Sequence, residues 1–417
     1  MSTLLSPIRE FFRKGDLILL ALCLSASGFG LLLIYSATRF QNNNKAIVVQ
    51  LAGILLGVML YVLITFLDLQ LLTEKHWILL LAFSVVFILL LLTPFGHSVG
   101  GNLNWLTLDP IIKNFPVNIQ PNEVVKIPFI LILAYQLATL RAKGDISSIP
   151  SVAQMGAFTL FMLGLIAAIC GDMGMCVIYT SIFVVMAWSA GVKLRWFVLV
   201  GGSIATTAVL LWNYVLPETS LWNDYRIMRF RVVFDHTLDP MDKGFQQSRS
   251  ILALGSGKLF GQGYLQGLQT HSPIESALPA RHTDFIFSVC GEELGLVGCA
   301  LLLLLLSAIV IRCVWVAHQA SSPFYAYVSM GMAGMLLFQI ILNVGMCLYV
   351  LPVMGLTLPF ISYGGTSVMT LFACMGIVSS VKAKTLPSWL EIAKAKNPLP
   401  NLGSGFFIGL SRSRERG

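Results

Sequence analysis

The chain has 417 residues, 56% of them hydrophobic and only 11% charged, with a mean hydropathy of +0.81 and a net charge of +8. A water-soluble globular protein carries about 25% charged residues, so this composition excludes that class and describes a polytopic membrane protein. The basic excess is spread along the chain, where it sets membrane topology and contacts anionic lipid rather than nucleic acid.

The lead-in MSTLLSPIREFFRKGD is amphipathic, and the apolar stretch after it lacks a small-residue cleavage site. It is expected to be the first membrane helix, not a signal peptide. About ten spans are expected, over 17–37, 46–67, 77–95, 124–140, 153–170, 173–190, 196–215, 284–311, 324–347 and 363–381. Lys and Arg concentrate in alternate short loops and in the tail, including Arg13, Lys75, Arg141, Lys193, Arg312 and Lys382. The asymmetry predicts both termini in the cytoplasm. One long loop, 216–283, then falls outside between helices 7 and 8. The membrane domain is expected to cover 1–381, followed by a basic cytoplasmic tail, 382–417. The eight cysteines are scattered through apolar segments without a CxxC. They read as small packed hydrophobes, not as disulfides or a thiolate metal site.

Ionisable residues at membrane depth are expensive and mark function. In QPNEVVKIPFI, Glu123 and Lys126 stand three apart on one helix face. They form either an interfacial ion pair or a polar cavity wall that offers a cation to an anionic substrate. Asp172, in CGDMGM, is either a turn residue or part of the same cavity. The outer loop is basic, with Arg229 among its cations, and suits phosphate or pyrophosphate. ALGSGKLFGQG, 253–263, fails both the GxGxxG and the P-loop spacing, which removes nucleotide binding. In HTDFIFSVCGEELG, Asp284 opens a span, where it either caps the helix or does chemistry. Glu292 and Glu293 lie about two turns deeper and need a partner or a proton.

These segments together resemble the SEDS family (shape, elongation, division and sporulation), the group of RodA and FtsW. HTDFIFSVCGEELG is similar to that family's HTDFIF–EELG signature, LPFISYGGTS (358–367) to its LPF-SYGGS segment, and QPNEVVK to QPSE--K. GFQQSRSILALGSG (244–257), which holds Gln246 and Ser250, is similar to GYQ---S--A-GSG, and GYLQGLQ (263–269) leans towards RodA. The chain departs from the family pattern at Ala280, where a Glu is usual, at Arg249 and Lys258, and in GNLNWL (101–106), which lacks the family's arginines.

The resemblance implies a peptidoglycan glycosyltransferase of the bacterial cytoplasmic membrane. Such proteins polymerise lipid II, an undecaprenyl-pyrophosphate-linked disaccharide-pentapeptide, on the outer face. They work with a class B penicillin-binding protein and other elongation or division proteins. The reaction needs a base for a sugar hydroxyl, positive charge or a divalent cation (Mg or Mn) for the pyrophosphate, and an apolar groove for the lipid tails. Asp284 is the expected base, with His282 as its rival or a local hydrogen-bonding partner. Lys126 and Arg229 are the expected cations, Glu123 orients Lys126, and Asp172, Gln246 and Ser250 complete the expected substrate contacts. Two other classes stay open at the sequence level: a lipid II flippase, and a non-catalytic scaffold that activates the penicillin-binding protein.

Overall fold

The protein, in a computed structural model, is an all-α bundle described over residues 11–39, 45–99, 102–107, 118–219, 225–234, 243–272 and 277–385. The bundle helices are α1 (Leu17–Thr38), α2 (Lys45–Thr65), α3 (Leu69–Leu89), α4 (Pro121–Lys143), α5 (Ile149–Ile169), α6 (Met173–Ser189) and α7 (Leu194–Leu210). Two helices, α8 (Tyr225–Phe234) and α9 (Lys243–Ser256), occupy the expected long loop. The bundle is completed by α10 (Ile286–His318), α11 (Pro323–Cys347) and α12 (Gly365–Ala383). Among the described residues nine helices are long and apolar enough to cross a membrane, and α6 is apolar but shorter. Each of the ten expected spans coincides with one bundle helix. Most of the expected tail lies outside the described residues, and α12 runs two residues past the expected boundary at 381.

Side-chain caps set several helix starts. The carboxylates of Asp16, Asp68 and Asp172 and the hydroxyls of Ser148 and Ser322 each accept a hydrogen bond from a first-turn N–H. Each satisfies a donor that the helix itself leaves open. Asp68 explains why α3 begins earlier than the expected 77: the helix is nucleated outside the apolar run and passes through a kink at His76 (φ −128°, ψ 23°). Between α3 and α4 the chain forms a hairpin of β1 (Gly96–Val99) and β2 (Asn102–Leu106), which the hydropathy pattern does not announce.

Small residues bring α2 and α12 close together. A Cβ at Gly53 would stand 2.6 Å from the Gly365 carbonyl oxygen, and one at Gly376 would stand 2.8 Å from the Tyr61 Cα. In lipid, where apolar side chains gain little by leaving their surroundings, such backbone approach supplies the packing. One end of the bundle is tied by charge. Arg312 holds the fully buried Asp16 through two hydrogen bonds of 2.9 and 3.0 Å, and Lys382 lies 3.6 Å from the same carboxylate. This knot joins α1, α10 and α12.

At the other end, α10 is broken at Gly295, whose φ of +67° and ψ of −165° suit only glycine. In an unbroken helix the N–H groups of Leu296 and Val297 would bond the carbonyls of Glu292 and Glu293. Here they bond the carbonyls of Lys258 and Leu259, while Gln262 and Gly263 donate to Glu292 and Glu293 instead. The segment after α9 thus takes up the four backbone groups released by the break. The Glu292 carboxylate reinforces the joint, accepting from the Gln269 N–H (2.7 Å), the Thr270 N–H (2.9 Å) and the Thr270 hydroxyl (2.6 Å). Glu293 meets the Ser36 hydroxyl and His271. Both buried glutamates serve the joint between loop and helix, Glu292 through both carboxylate oxygens and Glu293 through one.

Candidate active site

A cavity of about 580 Å3 opens at the end of the bundle opposite the Asp16–Arg312 knot. Its wall includes Asn104 from β2, Gln120 and Glu123 from the start of α4, Asp172 before α6, and Gln246 from α9. The segments 280–284, 353–357 and 363–367 close it. Three carboxylates, on Glu123, Asp172 and Asp284, thus share one wall.

Asp284 stands on a tightly held turn. Ala280 adopts a φ of +47°, and its carbonyl accepts from the Thr283 and Phe285 N–H groups. The carbonyls of 282–284 are taken by two other segments, the 362–363 loop and α11. The Tyr363 N–H donates to His282 O (2.9 Å), the Ser362 hydroxyl to Thr283 O (2.7 Å), and the Asn343 amide to Asp284 O (2.9 Å). The same Asn343 amide also donates to Leu356 O at 2.7 Å, which joins the turn to the 353–357 wall. Gln50 fixes the SYGG loop from the far side: its amide donates to Ser362 O (3.2 Å) and its oxygen accepts from the Gly364 N–H (2.9 Å). With the backbone fixed by these contacts, the Asp284 side chain is presented to the cavity.

Asp284 does not cap α10. The N-cap is Phe285, with no side-chain cap bond, because the turn at Ala280 has already bent the chain before the helix starts. Asp172 fills both roles allowed by its sequence. It caps α6, accepting from the Met175 N–H at 3.0 Å, and its second oxygen accepts from the Asn104 amide at 2.8 Å on the cavity wall.

Three expected substrate contacts lie elsewhere. Lys126 is fully buried one turn beneath the wall, with its ammonium 2.8 Å from Glu123. The pair is a cavity support in which only Glu123 reaches the surface, so Glu123 does not present Lys126 to a ligand. Its removal from water is offset by that contact. Ser250 is buried between α9, α10 and α11, with its hydroxyl on Ser288 (2.6 Å) and Cys347 O (2.7 Å). It locks helices together. His282 packs its ring at a tilt against Tyr363, 5.6 Å between centroids, and is not part of the wall. Arg229 belongs to α8, but its side chain lies outside the described residues. Another loop cation, Arg281, is buried and donates to the carbonyls of Gln269, Thr270 and Ser272. Burial pushes the Tyr363 phenol up, which keeps it a neutral hydrogen-bonding group on the wall. Asn104, Gln50 and Asn343 were not singled out from the sequence. For Gln50 and Asn343 the available signal was a lone amide inside an apolar span, which must find a partner when buried; Asn104 stands in the hairpin and carried no such signal.

Residues 17–386 match the model of the FtsW/RodA/SpoVE family, described as cell cycle protein. The chain belongs to the FtsW/RodA/SpoVE family. It is 30% identical over 379 residues to a probable peptidoglycan glycosyltransferase FtsW of Geobacter metallireducens, covering 89% of this chain and 95% of that one. It is 32% identical over 312 residues to the peptidoglycan glycosyltransferase MrdB of Escherichia coli, covering 74% and 78%. Among solved structures, the rod shape determining protein RodA of Thermus thermophilus aligns with a TM-score of 0.64 at 25% identity, over 89% of this chain and 98% of that one. A chain from a peptidoglycan synthase complex that coordinates polymerization and crosslinking aligns with a TM-score of 0.69 at 27% identity, over 88% and 97%. The family resemblance in the motifs therefore extends through the whole FtsW/RodA/SpoVE fold.

Proposed function

We propose that the chain is a peptidoglycan glycosyltransferase that polymerises lipid II in the cavity around Asp284, at the outer face of the bacterial cytoplasmic membrane. The observation that carries this reading is a carboxylate fixed at the wall of a polar cavity, in a chain whose relatives bear that activity in their names. In the transfer, a sugar hydroxyl of one chain attacks the anomeric carbon of another. Asp284 takes the hydroxyl proton while the bond to the pyrophosphate oxygen breaks. Glu123 and Asp172 shape the polar wall, and Gln246 offers an amide to the sugar or its substituents.

The described wall carries no lysine or arginine. Charge for the departing pyrophosphate then comes from the loop cations, Arg229 among them, or from a divalent ion. Among the described residues no group of three or more His, Cys, Asp or Glu could hold a metal. The wall carboxylates fit a Mg or Mn ion that takes one or two protein ligands together with the substrate's own phosphates. Such an ion would neutralise charge on the leaving group.

A class B penicillin-binding protein is the proposed partner, consistent with the similarity to a chain of a synthase complex. The test is purified protein incubated with labelled lipid II, alone and with that partner. Glycan strands are the expected product. Lipid II that crosses between leaflets of proteoliposomes without forming strands would replace this reading with a flippase. Strands made by neither preparation, alongside faster crosslinking by the partner, would replace it with a scaffold.

A further inference from the structure

We infer that residues 258–268 form a re-entrant element that sits among the acyl chains of the leaflet nearest Asp284, rather than in the aqueous loop expected from the sequence. The placement follows from depth along α10. Arg312 pairs with Asp16, which Lys382 also approaches, and lies over the Trp315 ring at 4.0 Å, which marks the charged boundary of the apolar slab. Leu296 lies sixteen residues before Arg312 on an unbroken stretch of helix, hence about 24 Å away at 1.5 Å per residue. The hydrocarbon core is about 30 Å thick. Leu296 and Val297 are therefore still inside it, and they are the residues whose N–H groups bond Lys258 O and Leu259 O.

Irregular backbone survives at that depth only when its polar groups are satisfied by protein. The exchange across the Gly295 break does this for Lys258, Leu259, Gln262 and Gly263. The Leu268 N–H is taken by the Gln262 side chain, and the N–H groups of Gln269 and Thr270 by the Glu292 carboxylate. The side chains left outside are mainly apolar: Leu259 is 58% exposed, Phe260 79% and Leu268 75%, with Lys258 and Gln266 the exposed polar ones. They are continuous with the outward face of α10, where Leu296 is 61% exposed and Leu301 and Leu304 are also exposed. A polar partner would leave that apolar surface uncovered, whereas acyl chains match it, with Gln266 the one exposed amide side chain within 258–268. Lys258 reaches back to the headgroups by extending its stem.

The test uses the full chain in nanodiscs of phosphatidylethanolamine and phosphatidylglycerol, with a nitroxide at Phe260→Cys or at Leu268→Cys. The native cysteines are buried apart from the half-buried Cys176, so the unsubstituted protein sets the labelling background. Leu304→Cys provides a lipid-facing reference, and Asp145→Cys, on an exposed loop side chain, an aqueous one. Relaxation by oxygen and by a water-soluble nickel chelate is then compared. The inference predicts that both sites match Leu304→Cys, open to oxygen and closed to nickel. Nickel accessibility equal to that of Asp145→Cys would overturn it. Protection from both reagents would also overturn it, because it would show a second protein seated on the patch. The readout is independent of glycosyl transfer.

Discussion

Asp284→Asn is expected to lower the rate of lipid II polymerisation by about 10^2- to 10^4-fold, the usual contribution of a positioned general base, while leaving thermal stability unchanged. Asparagine keeps the shape and the hydrogen-bonding oxygen but cannot accept the hydroxyl proton. The structure separates this loss from misfolding. The contacts that hold the turn go to backbone carbonyls, from Tyr363, Ser362 and Asn343, and none of the three uses the carboxylate. Asp284 does not cap α10 either, so no helix N-terminus is uncapped by the change. The measurement is an initial rate of strand formation beside a melting curve of the same preparation. A variant that polymerises at the wild-type rate would remove Asp284 as the base.

Glu292→Ala is expected to be the most damaging single change for the fold. The carboxylate satisfies two backbone N–H groups and one hydroxyl, all on the 269–270 segment, and it is fully buried. Each buried donor left without a partner costs about 1–3 kcal/mol, so the loss is about 3–5 kcal/mol even if the segment relaxes. Glu292→Gln should fall between the two, since one amide oxygen remains while the amide nitrogen faces the Thr270 donors. Melting in detergent and protease cleavage within 257–272 report the effect, with cleavage rising in the order wild type, Gln, Ala. Glu292→Ala with wild-type melting and cleavage would show that the joint carries no stability.

The bundle helices were legible because each is an apolar run bounded by charge or by turn residues, and among the described residues nine of these runs are long enough to cross, α6 being shorter. Glu123, Asp172 and Asp284 were legible because a carboxylate beside an apolar run needs a reason to be there, and all three reach one wall. Gln246 also reaches it, and the motif match pointed to it. Ser250 came from the same motif, but a hydroxyl conserves its pattern equally well by locking helices, and motif spacing cannot tell the two apart. Lys126 was misplaced by one helical turn in depth: the i, i+3 spacing gives the pairing with Glu123 but not which member meets the cavity.

The largest gap between sequence and structure lies after α9. A long segment rich in glycine and polar residues reads as an aqueous loop. Its re-entry depends on hydrogen bonds exchanged with α10 thirty or more residues later, which local pattern does not encode. Even so, the glycines at 257, 261 and 295 and the Glu292–Glu293 pair all lie on this one joint. They were the residues for which the sequence offered no use, once nucleotide binding had been removed by spacing.

The central claim is that lipid II reacts in the cavity around Asp284, and a photoreactive lipid II analogue with its label on the disaccharide tests it most directly. After irradiation with the purified protein, adducts are mapped by mass spectrometry. The account predicts adducts on the peptides that carry Gln246, Thr283 and 353–357, displaced by unlabelled lipid II. Displaceable adducts confined to the other end of the bundle, around Asp16 and Arg312, would contradict it.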